Sequence, residues 1–243
     1  MTIKKYSDYE KLSRATADLI AEYISAKKNS IVCIASGHTP QGVFECLVND
    51  VKSNQLDISK CIFVSLDEWV GIAASKKGSC REMMDEDFFN PLQIPSSHIK
   101  FFDGLADDLE SEVKNMNDFI KAHGGLDIML VGIGTNGHIA MNEPGTSFNI
   151  DAHISTLAEE TKIVGQKYFP GSTILDKGIT LGLNHFRDAK LPILMANGEK
   201  KSAIIQRTLS SPPTESLPSS IVHLIPHGYV MIDDLAAGKL GMF

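Results

Sequence analysis

The sequence predicts an α/β fold, with a mostly parallel sheet carrying helices on both faces, and two observations carry that reading. Short apolar, β-prone runs alternate with stretches of helical period, the pattern of buried parallel strands joined by crossover helices. Several of those runs are followed at once by a polar or glycine-bearing cluster, and open α/β sheets bind ligands beyond the carboxyl ends of their strands. The length of 243 residues suits one large hydrophobic core, so residues 1–243 are expected to form a single domain.

Along the chain, apolar side chains at Leu12, Ala15, Leu19, Ile20 and Tyr23 predict an amphipathic helix over residues 9–26, capped by Ser7 or Asp8. Residues 30–35 form an apolar strand, Ser36 to Pro40 a glycine turn, and residues 41–51 a helix. The same strand-then-cluster order recurs at residues 61–66 before Asp67-Glu68-Trp69, and at residues 126–133 before Gly134-Thr135-Asn136-Gly137-His138. A fourth strand, residues 191–196, leads through Asn197-Gly198-Glu199 into a helix over residues 200–209. The Ser- and Pro-rich stretch 210–220 reads as a loop, and residues 221–225 and 229–232 as closing strands.

Composition narrows the function. With 43% hydrophobic and 22% charged residues the chain is globular, and no apolar run is long enough for a membrane span. The N-terminus lacks a secretory signal pattern, so the expected location is the cytoplasm. Cys33, Cys46, Cys61 and Cys80 are widely spaced and read as reduced thiols. A net charge of −7 argues against nucleic acid or an anionic membrane as partner. An anionic metabolite would need a local site of backbone N–H groups and a few cations.

Three clusters could supply chemistry. Ser36, Gly37, His38 and Thr39 sit where a strand hands over to a helix, so N–H groups, hydroxyls and the helix dipole can converge on a phosphate; the alternative is an ordinary tight turn. Asp67 is either a helix cap or solvated acid, or a carboxylate shielded by Trp69 and thereby raised in proton affinity enough to act as a base. Residues 132–144 bring an amide (Asn136), an imidazole (His138) and a carboxylate (Glu143) into one glycine-rich turn, where His138 can shuttle a proton and Glu143 can orient it. The remaining histidines, His98, His123, His185, His223 and His227, are scattered without metal-ligand spacing, and neither GxSxG nor a Walker loop is present. No metal is expected.

Two segments resemble the signatures of the glucosamine-6-phosphate deaminase (isomerase) family: Phe63-Val64-Ser65-Leu66-Asp67-Glu68-Trp69-Val70-Gly71, and Gly132-Ile133-Gly134-Thr135-Asn136-Gly137-His138 continuing to Asn142-Glu143-Pro144-Gly145. The Ser36–Pro40 turn resembles the family's phosphate loop, and Gly178-Ile179-Thr180-Leu181-Gly182-Leu183 also fits. The resemblance implies a modified Rossmann-like, doubly wound fold and conversion of an amino-sugar 6-phosphate to a ketose 6-phosphate plus ammonia, without metal or organic cofactor. It assigns ring opening to His138 with Asn136 and Glu143, and proton transfer from C2 to C1 to Asp67. Lys201 matches its phosphate-binding lysine, and Lys167 falls near its substrate-binding arginine.

Some positions differ from the family pattern. Asn136 stands where many members have Asp, and Trp69 and Cys80 stand where Tyr is common. Together with Lys77-Gly78-Ser79-Cys80 and His153-Ile154-Ser155, they are similar to the galactosamine-6-phosphate isomerase branch, which leaves the C4 epimer open. His153 and Ser155 replace basic residues of the activator site, and the sequence ends at Phe243, so no allosteric activation is expected. The alternatives are a 6-phosphogluconolactonase, which needs no C2 base, and a catalytically silent sugar-phosphate sensor. The expected assembly is a monomer or small homo-oligomer, and the region from Glu143 to Tyr168 is the candidate lid.

Overall fold

The structure, a computed structural model, describes residues 1–240. The end at Phe243 lies outside the described residues. In chain order the elements are β1 (Thr2–Tyr6), α1 (Tyr9–Ala26), β2 (Ile31–Ile34), α2 (Gln41–Lys52), β3 (Ile62–Val64), β4 (Asp67–Trp69), α3 (Cys80–Met84), β5 (Ile99–Lys100), α4 (Leu109–Ala122) and β6 (Ile128–Val131). Then come β7 (His153–Thr156), α5 (Glu159–Gly165), β8 (Lys177–Thr180), α6 (Leu183–Asp188), β9 (Leu191–Ala196), α7 (Ser202–Ser210) and β10 (Tyr229–Asp233). Seven strands form a parallel sheet in the order β1-β10-β9-β6-β2-β3-β5.

The pleat sorts each strand's residues between two cores. Val32 and Ile34 face one side with Leu12 and Ile20 of α1 and Val43 and Phe44 of α2. Ile31 and Cys33 face the other, with Met116 of α4, Phe186 of α6 and Ile205 of α7. Alternating burial on both faces is why these strands read as continuous apolar runs rather than as alternating ones. From β2 the chain runs outward through β3 to β5, then returns to β6 on the other side of β2. The order reverses between β2 and β6, which makes their carboxyl ends the switch-point crevice of a doubly wound sheet.

Asp8, not Ser7, caps α1, its carboxylate accepting the Lys11 N–H at 2.8 Å. Residues 221–225, expected as a closing strand, instead form the end of a 3₁₀ helix, Pro218–Leu224, and its capping residue Ile225. Proline removes a ladder donor, and the Ser220 hydroxyl donates to the Leu217 carbonyl at 2.7 Å, so local bonds win over strand pairing. The helix after β9 begins with a 3₁₀ turn, Glu199–Lys201, and becomes α-helical at Ser202. β1 was not legible because its residues are exposed or half-buried, and α4 buries only Val113, Met116 and Ile120 of its fourteen residues.

A second sheet, antiparallel and ordered β4-β8-β7, was also not expected. It turns Asp67-Glu68-Trp69 from a polar strand-end cluster into a strand, with Asp67 opposite Thr180 and Trp69 opposite Gly178. The segment after β8 packs tightly: a Cβ on Gly182 would fall 2.1 Å from the carbonyl oxygens of both Ile150 and Asp151. Gly182→Ala is therefore expected to lower unfolding free energy by about 1–3 kcal/mol, the range for overpacking a rigid contact. Urea denaturation measures it, and an unchanged midpoint would contradict the packing.

Candidate active site

Four neighbouring strands, β3, β2, β6 and β9, deliver their carboxyl-terminal loops to one cleft of about 320 Å³. Every residue given a catalytic or binding role from the sequence except Glu143 lines it directly: Asp67, Asn136 and His138, and Ser36, Gly37, His38, Thr39, Lys167 and Lys201. Glu143 stands behind His138 in the same loop.

Asp67 is 9% exposed. Burial pushes its carboxyl up to about 6, although the Cys80 thiol and His138 favour the charged form. Trp69 is buried in the wall of the cleft, its ring edge-on to Phe169 with centroids 6.2 Å apart. Cys80 arrives at Asp67 because α3 starts at the cleft, a contact that no local motif announces.

The loop after β6 folds back on itself. The Gly134 N–H donates to the His138 carbonyl at 2.9 Å, and a Cβ on Gly134 would lie 2.3 Å from the imidazole ring, so only glycine lets the ring rest there. Asn136 works at both ends of its amide: Oδ1 accepts the His138 backbone N–H at 3.0 Å, and Nδ2 donates to Glu143 Oε2 at 2.9 Å. A carboxylate at this position could not make the second bond while ionised. His138 Nδ1 lies 3.6 Å from Glu143 Oε2 and 3.1 Å from the Thr161 hydroxyl. For Glu143, burial raises the carboxyl's proton affinity, but His138, Thr161 and Asn136 together outweigh it and hold the group down at about 2. Thr161 was missed from sequence. It lies 23 residues beyond His138, on α5, and nothing in its surroundings marks it.

The cleft's other end is cationic. Gly37 has φ +91°, and a Cβ there would meet the Tyr168 hydroxyl at 2.9 Å. The Tyr168 ring stacks on His38 with centroids 5.2 Å apart. Tyr9 braces the turn, its hydroxyl donating to the Thr39 carbonyl at 3.0 Å and accepting the Gly42 N–H at 2.9 Å. Lys201 Nζ donates to the Ile133 carbonyl at 2.5 Å. Burial and then the neighbouring Lys167 lower the Lys201 ammonium's proton affinity, and neither lysine has an acidic partner among the described residues. Two like charges without an acidic partner beside a glycine turn make this end of the cleft locally positive inside a protein of net charge −7. The expected lid region, from Glu143 to Tyr168, carries β7, α5 and a 3₁₀ turn, and contributes Thr161, Gly165 and Tyr168 to the cleft wall. Among the described residues, no group of three or more His, Cys, Asp or Glu is placed to hold a metal ion.

The sequence pattern of the glucosamine-6-phosphate isomerase/6-phosphogluconolactonase family matches residues 7–230. The chain belongs to that family. A glucosamine-6-phosphate deaminase of Lachnoclostridium phytofermentans is 37% identical over 227 residues, spanning 93% of this chain and 96% of the relative. Glucosamine-6-phosphate deaminase 2 of Bacillus subtilis is 34% identical over 235 residues, spanning 96% and 94%. Among solved structures, that of a monomeric glucosamine-6-phosphate deaminase superposes with a TM-score of 0.94 at 32% identity, covering 98% of this chain and 99% of the other. The 6-phosphogluconolactonase of Trypanosoma brucei gives 0.76 at 18% identity, covering 99% and 98%, and so shares the fold. The doubly wound α/β architecture of this family member thus agrees with the expectation from its strand pattern.

Proposed function

We propose that this protein deaminates glucosamine 6-phosphate, giving a ketose 6-phosphate and ammonia. The observation that carries the reading is the division of one cleft into a cationic end, a buried carboxylate and a separate imidazole–carboxylate pair. An aldose-to-ketose conversion of a cyclic amino sugar needs those three parts, whereas a lactonase has no use for the buried base.

The phosphate is held by the Ser36–Thr39 turn with Lys201 and Lys167. His138, its Nδ1 side engaged with Thr161 and Glu143, keeps Nε2 for the substrate. It carries a proton from the anomeric hydroxyl to the ring oxygen, and the ring opens. Asp67 then takes the C2 proton while the substrate's C2 ammonium passes one of its own to O1, leaving an enolamine, and Asp67 returns its proton to C1. Water adds to the resulting C2 iminium and ammonia departs. A base with its carboxyl near 6 is ionised at neutral pH yet basic enough to work.

The deciding experiment is ammonia release from glucosamine 6-phosphate and galactosamine 6-phosphate side by side. Release from the gluco epimer is expected, the ratio of the two rates reads the C4 preference, and no ammonia from either overturns the proposal. Lys201→Met is expected to raise KM about 10–100-fold with a much smaller change in kcat, because it removes a charge-assisted bond of about 1.5–3 kcal/mol made equally in ground and transition states. Steady-state kinetics and competition by inorganic phosphate measure it.

A further inference from the structure

Glu68 is fully buried and takes no part in the chemistry above. Its carboxylate accepts three backbone N–H groups: Oε1 from Trp69 at 2.8 Å and Cys80 at 3.0 Å, and Oε2 from Arg81 at 2.9 Å. Those donors bracket a long loop. Trp69 ends β4, and Cys80 and Arg81 open α3, so a single side chain closes residues 70–79 into a ring against the sheet. Gly104 seals the far side, its absent Cβ leaving room for the Trp69 carbonyl at 2.3 Å and the Glu68 Cγ at 3.3 Å. Both walls of the cleft that flank Asp67, Trp69 and Cys80, hang from this carboxylate.

We propose that Glu68 is a positioning residue for the proton transfer: it fastens the Trp69 and Cys80 walls around Asp67, and its own proton is coupled to that of the base. The inference rests on Asp67 being the C2 base. Burial pushes the Glu68 carboxyl up to about 7, although the three amide donors favour its anion. Ionised Asp67 adds to the rise at Glu68, so the pair loses its protons in sequence, the base first. The groups facing the pair are His138 and the Cys80 thiol, which favour ionised Asp67, together with the Cys33 thiol and Tyr168, which feel its charge. Arg81 gives Glu68 only its backbone N–H, since its guanidinium is engaged by Asp85 at 2.8 Å.

Glu68→Gln tests this without dismantling the ring. The Gln Oε1 still accepts from Trp69 and Cys80, and only the Arg81 N–H is left facing an amide. The expected result is a fall in kcat with the acid limb, set by Asp67, left in place and the Glu68 ionisation near pH 7 gone from the kcat/KM pH profile, because Gln copies only the protonated form. A fall in kcat with the profile near pH 7 unchanged makes Glu68 purely structural and overturns the proposal. Should the Gln variant fail to fold, the coupling is read from the other side by carbon-13 NMR titration of carboxyl groups in wild type and Asp67→Asn. Glu68 is expected to titrate at lower pH once Asp67 is neutral, and an unchanged midpoint overturns the proposal. Full turnover by Asp67→Asn would instead remove the base assignment itself, so the two failures are distinguishable.

Discussion

Replacing Asp67 by Asn lowers kcat for ammonia release by about 10²–10⁴-fold, the span that a positioned general base supplies, and leaves the dissociation constant for substrate close to wild type. The groups proposed to hold the phosphate lie at the other end of the cleft, on residues 36–39, Lys167 and Lys201, and the substitution does not touch them. The sharper signature is isotopic. Exchange of the C2 proton with deuterated water stops, since Asn cannot accept a proton, and wild-type exchange in the variant would sink the mechanism.

The same variant is expected to be more stable than wild type at pH 8. Burial raises the Asp67 carboxyl to about 6 in the folded chain, against 3.8 when exposed, so between those values the folded state binds a proton that the unfolded state releases. Stability from this group is fully present below pH 3.8 and is lost as pH rises through 6. The ionised Asp67 therefore costs up to about 3 kcal/mol at neutral pH, which Asn removes. Denaturation at pH 8 and at pH 3.5 measures the difference. A gain at high pH that shrinks toward zero at low pH is the expected pattern, and a variant less stable at pH 8 contradicts the buried-charge account.

The parts legible in the sequence were those whose physics is local. Residues 31–34, 62–64, 128–131 and 191–196 are buried on both faces and announce themselves as apolar runs. The turns at Gly37 and Gly134 are marked by the glycines that their close contacts with Tyr168 and His138 require. What stayed hidden depends on residues far apart in the chain. β4 exists only because β8, more than a hundred positions later, pairs with it, and three polar-rich residues give no strand signal on their own. Thr161 and Tyr168 reach the cleft through the packing of α5 and the turn after it, and Glu68 reads as a mere companion of Asp67 until its three backbone partners are seen. Residues 221–225 misled in the opposite sense: their apolar pattern is real, but Pro218 and two serines bend it into a helical turn.

His138→Gln separates the two halves of the mechanism. Its expected effect is a fall in kcat of about 10²-fold or more, with exchange at C2 and ammonia release falling by the same factor. In this variant Asp67 remains intact, and the only substrate it can process is the small fraction that opens spontaneously in water. The ratio of C2 exchange to ammonia release therefore stays at the wild-type value, whereas Asp67→Asn abolishes exchange altogether. Binding of an open-chain amino-alditol 6-phosphate, which needs no ring opening, is unchanged. Glu143→Gln is expected to resemble the His138 variant in milder form, because the carboxylate held down at about 2 keeps a fixed charge beside the imidazole throughout the working pH range. Faster exchange than ammonia release in the His138 variant would show that ring opening does not depend on that histidine, and would return residues 132–144 to the role of a structural turn.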